Sequence, residues 1–198
     1  MGAKLVYGDE TRWEVCEEVA GKTGHRWSLW VTPSASVVCY RLAPGRGADV
    51  PKAHLATLRT DLVAVVLVWD RYSADQCLAQ DHGALIVASC WAPVRRDVLK
   101  AARSWPELER WMVTWVDDMR ALSHLKKARL EGWDETGPLA QQSAAFAECH
   151  RDLETHLSQM QARCEAPLLD PDLHLVKQKV LSRLHHHGDG LTVFSMAA

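Results

Sequence analysis

The hydrophobic positions change period partway along the chain. Up to about residue 90 they fall in short alternating or unbroken runs, and beyond residue 104 they recur every three to four residues. Lys4–Tyr7 reads as a short strand leading into Gly8-Asp9-Glu10-Thr11, and Trp13–Cys16 alternates like a half-exposed strand. Gly21–Gly24 makes a turn, after which Trp27–Thr32 and Val37–Leu42 read as antiparallel strands around Pro33-Ser34. Pro44–Gly47 breaks the sheet, and Pro51–Arg59 is helical in composition. Ala64–Trp69 is apolar without interruption and rich in valine, the mark of a strand buried on both faces. A short helix near Ala74–Gln80, a second buried strand at Ala84–Ala88 and a helix over Trp91–Arg103 follow. An antiparallel meander followed by parallel strands with crossover helices predicts an α/β mixed sheet, with the first strand beside the fourth.

From Ser104 the period is helical. Ser104-Trp105-Pro106-Glu107 has the form of a capping box, and Leu108, Trp111, Met112, Trp115, Met119, Leu122 and Leu125 continue one stripe. A break at Asp134–Pro138 opens a second helix with the stripe Phe146, Cys149, Leu153, Leu157, Met160 and Cys164. Asp170-Pro171 reads as the start of a third, through Leu173, Val176, Val180 and Leu184. Three such stripes can bury one another. The expected organisation is a sheet core over residues 1–103, an inserted helical bundle over 104–187 and a return segment over 188–198.

Composition narrows the classes of function. Lys and Arg total 23 against 25 Asp and Glu, so no global field draws the chain to nucleic acid or membrane. The longest apolar run, Leu62–Trp69, is far too short to span a bilayer, and the amino terminus lacks a signal-peptide core, which predicts a cytoplasmic protein. The six cysteines form no C-x-x-C pair and read as reduced thiols, and the tryptophans on apolar faces read as core.

The candidate chemistry lies in two aspartates. Asp70 ends the buried valine-rich run, where a carboxylate is costly unless something pairs with it. It either caps the turn that follows or binds a metal with a second acid on a neighbouring strand, for which Asp9 is the candidate. Two carboxylates a few Å apart repel, and a bound Mg²⁺ or Mn²⁺ removes that repulsion.

Five segments then carry a resemblance: D-E-T-R-W (9–13), G-K-T-G-H-R-W-S-L-W-V (21–31), Y-R-L-A-P-G-R-G-A-D-V-P (40–51), W-D-R-Y-S-A (69–74) and C-W-A-P-V-R-R-D (90–97). In order and spacing they resemble the central domain of bacterial transposases of the insertion-sequence sixty-six family, and L-H-H-H-G-D-G-L-T-V-F (184–194) resembles its connection to a final catalytic helix. The resemblance implies a ribonuclease H-like fold, a divalent-metal DDE site and DNA cutting and joining. It makes Asp9 the first acid and Asp70 the second, with transposon-end DNA, and full-length transposase or accessory transposition proteins, as partners.

Two departures stand out. Pro93 replaces the family's His after Cys-Trp-Ala, and no Glu follows Glu165, whereas the family's third acid is a Glu beyond the bundle. The chain therefore reads as a truncated transposase core, inactive alone, or alternatively as a non-catalytic DNA- or transposase-binding remnant acting through its bundle. Asp189 in a Gly-flanked loop and Glu10 on the opposite strand face are poor replacements. Arg95, Arg96, Lys100 and Arg103 make a basic helix that either touches phosphates or is simply solvated. His185-His186-His187 fans out around a helix end, and Lys126-Lys127-Ala128-Arg129 reads as the basic last turn of its helix.

Overall fold

The computed structural model describes residues 4–14, 26–33, 37–45, 47, 49–55, 65–69, 85–133 and 143–196. The chain forms two compact units, Met1–Cys90 and Trp91–Ala198. The helix that opens at Trp91 thus counts with the helices rather than with the sheet.

The first unit is built on strands β1 (Lys4–Glu14), β2 (Arg26–Pro33), β3 (Val38–Ala43), β4 (Val65–Trp69) and β5 (Leu85–Ser89), with helix α1 (Asp49–Leu55) between β3 and β4. The order across the sheet is β3-β2-β1-β4-β5. β1–β2 and β2–β3 pair antiparallel, β1–β4 and β4–β5 parallel, so the expected meander and the placing of the first strand beside the fourth are both observed. One expectation is corrected. The two short strands foreseen on either side of Gly8–Thr11 are one strand of 11 residues, because β2 supplies partners from Asp9 to Glu14 where β4 has ended.

Alternation decides which face is covered. Trp30, Ala43, Val65, Leu67, Trp69 and Leu85 point to one face and form its core with Val50 of α1. Both Val66 and Leu67 are buried, as a central parallel strand requires. On the other face Val66 and Ala88 are buried, whereas Tyr7, Trp13, Tyr40 and Leu42 are exposed.

The second unit contains α2 (Trp91–Ser104), α3 (Glu109–Glu131), α4 (Ala144–Glu165), α5 (Leu175–His186) and α6 (Gly188–Met196). The predicted stripes meet in one core, with Leu108, Met112, Trp115, Met119 and Leu122 of the first against Leu153, Met160 and Cys164 of the second and Val180, Leu181 and Leu184 of the third. Of the stripe from Phe146 to Met160, Phe146, Leu153 and Met160 are buried within this unit and Cys149 and Leu157 are half-buried. Arg163 Nη2 meets Asp118 Oδ2 at 2.7 Å, and His156 Nε2 lies 3.2 Å from the Asp118 carbonyl, tying α4 to α3.

Three helix starts differ from expectation. Pro106–Leu108 forms a 3-10 turn with no side-chain cap, and α3 begins after it. Asp170 Oδ1 accepts the Asp172 N–H in a tight turn, so α5 starts later, capped by His174 Nδ1 accepting from Val176 N. Gly188-Asp189-Gly190 opens α6 instead of ending the helical region, which glycine and aspartate in a first turn permit. Among the described residues no helix is long and apolar enough to cross a membrane.

Candidate functional site

β1 changes partners at the Gly8–Asp9 step. Lys4–Gly8 pair with Val65–Trp69 of β4, whereas Asp9–Glu14 pair with Val31–Arg26 of β2. Asp9 stands just past the carboxyl end of the parallel pairing, on the strand where the sheet turns from parallel to antiparallel. In open α/β sheets such a switch point is where ligands bind, because the chain leaves in opposite directions and opens a crevice.

The residue before Asp9 has to be small. A Cβ at Gly8 would overlap the Trp69 indole, which lies across it and packs tilted against Trp30 at 5.6 Å between ring centroids. The Cys90 N–H donates to the Trp69 carbonyl at 3.0 Å and carries the β4–β5 pairing to the end of the strand. The rim beside Asp9 is therefore fixed by a tryptophan pair and a backbone ladder.

The pleat sends Asp9 to the face opposite Gly8 and Trp69. Its carboxylate is exposed, and Oδ1 accepts the Glu10 backbone N–H at 2.9 Å. Among the described residues its neighbours on that face are Tyr7 and Thr11 along the strand and Val31 across it, none a cation. Following the register across all five strands, Asp9 is the one charged position on this face among the described residues. An isolated carboxylate among apolar side chains contributes nothing to packing, and covering it without a cation would cost several kcal/mol, order of magnitude. Its oxygens are hard donors of the kind Mg²⁺ and Mn²⁺ take. Glu10 alternates to the other face, opposite Trp30, as expected for an adjacent strand residue.

Asp70 lies outside the described residues, as does the expected helix near Ala74–Gln80. What is described is its predecessor: Trp69 stands opposite Gly8, the predecessor of Asp9. Among the described residues no group of three His, Cys, Asp or Glu is arranged to hold a metal ion.

The other candidates sit in the helical unit. Arg95, Arg96 and Lys100 are exposed on α2, and Pro93 is buried in its first turn, where a missing N–H is tolerated. His185 Nδ1 faces Glu165 Oε1 at 3.5 Å, while the His186 and His187 rings meet edge to face at 5.0 Å. Asp189 is exposed in the first turn of α6.

Sequence reasoning missed Arg129. It lies in the basic last turn of its helix, as expected, but is only 1% exposed. Its guanidinium donates to the carbonyls of Ser195 (2.6 Å) and Phe194 (2.9 Å), meets His150 Nδ1 at 3.3 Å and lies over the Phe146 ring. Burial lowers its pKa, with Glu154 opposing. The signal was present, since position 129 continues the stripe one heptad beyond Leu122.

Compared with known families, residues 1–196 match the family model described as transposase IS66 family. No match was found among the curated proteins.

Proposed function

The chain belongs to the transposase IS66 family, matched over residues 1–196, and from that premise we propose that it is the metal-dependent core of a DNA transposase with a ribonuclease H-like sheet. The family's work is DNA transposition. The observation that carries the finer reading is Asp9: among the described residues, the one charged position on its sheet face, at the end of the β1–β4 pairing. Gly8 and Trp69 stand opposite each other, and each is followed in sequence by an aspartate, which supports Asp70 as the second acid.

In this reading the Asp9 and Asp70 carboxylates hold Mg²⁺ or Mn²⁺. Bound there, such ions would supply Lewis-acid activation of a water or a 3′-hydroxyl and charge stabilisation of a phosphodiester's leaving oxygen. The chain's own contribution is placement. Trp69 over Gly8 keeps the rim rigid, and the Glu10 N–H holds one Asp9 oxygen. Arg95, Arg96 and Lys100 contact the DNA backbone at transposon ends. The partners of this reading are transposon-end DNA and full-length transposase or accessory transposition proteins, in the cytoplasm.

The test is incubation with Mn²⁺ and a labelled transposon-end duplex. The expected result is metal and DNA binding without strand transfer. Nicking by the chain alone that Asp70→Ala abolishes would show that two acids suffice and overturn the expected inactivity.

A further inference from the structure

The chain is nearly neutral overall, yet α2 and α5 together carry seven Lys and Arg against a single carboxylate, Asp97. Two contacts align these helices: Arg183 Nη1 meets Asp97 Oδ2 at 3.1 Å, and the ring of Trp105, just past α2, packs edge-on to that of His174, the cap of α5, at 5.1 Å. The Trp91 Nε1–H donates to the Leu191 carbonyl of the following helix α6 at 2.9 Å. Residue numbers rise on one side as they fall on the other, so α2 and α5 run antiparallel, with Lys100 level with Lys179.

The exposed stripes follow. Arg96, Lys100 and Arg103 recur at i, i+4 and i+7 on α2, and Lys179, Arg183 and His186 do so on α5. All six residues are exposed, and the Asp97–Arg183 pair marks the seam between the helices. Buried residues Val94, Val98 and Ala101 on α2, and Val180, Leu181 and Leu184 on α5, turn away into the core. Among the described residues, Glu165 meets His185 and Glu107 meets His174 at the ends of the pair.

We propose that α2 and α5 form one two-helix cradle for the phosphate backbone of duplex DNA, in which Lys179 and Arg183 extend the contact begun by Arg96 and Lys100. The stripe is about 10 Å long at helical rise. Neighbouring helices lie about 8–10 Å apart. Successive phosphates advance roughly 3.4 Å along one DNA strand, so two or three of them fit the cradle. Like charges at this density repel one another, and a polyanion relieves the repulsion. Asp97 opposes the phosphates and holds Arg183 partly occupied. The proposal rests on reading the chain as a DNA-handling protein.

The test is fluorescence anisotropy with a labelled 20-base-pair duplex across a salt series, using the whole chain. Each of Lys100→Ala and Lys179→Ala is expected to reduce the slope of log affinity against log salt by about one. Asp97→Asn is expected to tighten binding, and Lys127→Ala, at a residue held by Glu131 at 3.8 Å on α3, to leave it unchanged. Circular dichroism confirms that each variant is folded. A loss with Lys100→Ala but none with Lys179→Ala would overturn the cradle and leave the α2 contact standing. Absence of duplex binding by the unaltered chain would sink the DNA reading itself, and tighter binding to phosphatidylserine vesicles than to duplex would overturn the choice of partner.

Discussion

The two units handle their apolar surface in opposite ways. Among the described residues of the helical unit, fifteen buried residues close into one core, and the buried cation Arg129 donates to two carbonyls of α6. Among the described residues of the sheet unit, six buried strand residues cluster with Val50 of α1 on one face, while on the other Val66 and Ala88 are buried and Tyr40 stays 66% and Trp13 51% exposed. One unit closes round a single core, and the other leaves large apolar side chains exposed on the face that carries Asp9. Exposed apolar surface of this kind marks a place where something else docks.

The comparison is broken most severely at Gly8. Gly8→Val must displace the Trp69 indole from Trp30, at a cost of about 3 kcal/mol or more. The sheet unit is expected to lose its tryptophan fluorescence transition while the helical circular dichroism signal survives. A single unchanged melt would show that the two units are not energetically separate. In the helical unit Arg129→Met leaves the last carbonyls of α6 without their donor, and the expected loss is about 3 kcal/mol, read as a lower denaturant midpoint.

A smaller effect comes from Cys164. Burial, and then the Glu165 carboxylate, push its thiol up to about 11 from an ordinary 9.0. An acid whose pKa is raised by folding stabilises fully below its unfolded value and loses that contribution as pH climbs through the folded one. The helical unit should therefore weaken between about pH 9 and 11 by more than a Cys164→Ala variant does. At pH 8 Cys164 should also alkylate more slowly than the half-buried Cys149. Smallest of all, Leu42→Lys on the open sheet face should change stability by under about 0.5 kcal/mol while raising solubility.

Much of this was legible before any coordinates. Valine-rich β4, buried on both faces, and the helical stripes through Met112 and Leu153 follow from periodicity alone, because burial of one face dictates the spacing. Helix starts were less legible. Asp170-Pro171 and Ser104–Glu107 carry capping chemistry, yet tertiary packing of Leu108 and Val180 chose where the helices begin. Asp9 was legible as an acid near the end of a strand. Its isolation on an apolar face was not, because that depends on the register of all five strands. Arg129 was legible as part of a basic last turn, but its basic neighbours masked its place on the buried stripe.

The most direct measurement is a Mn²⁺ titration of the whole chain followed by electron paramagnetic resonance, comparing the unaltered protein with Asp9→Asn and Asp70→Asn. The account predicts that each substitution weakens Mn²⁺ binding at least tenfold, about 1.4 kcal/mol, with the circular dichroism unchanged. Equal affinity in all three proteins would contradict it.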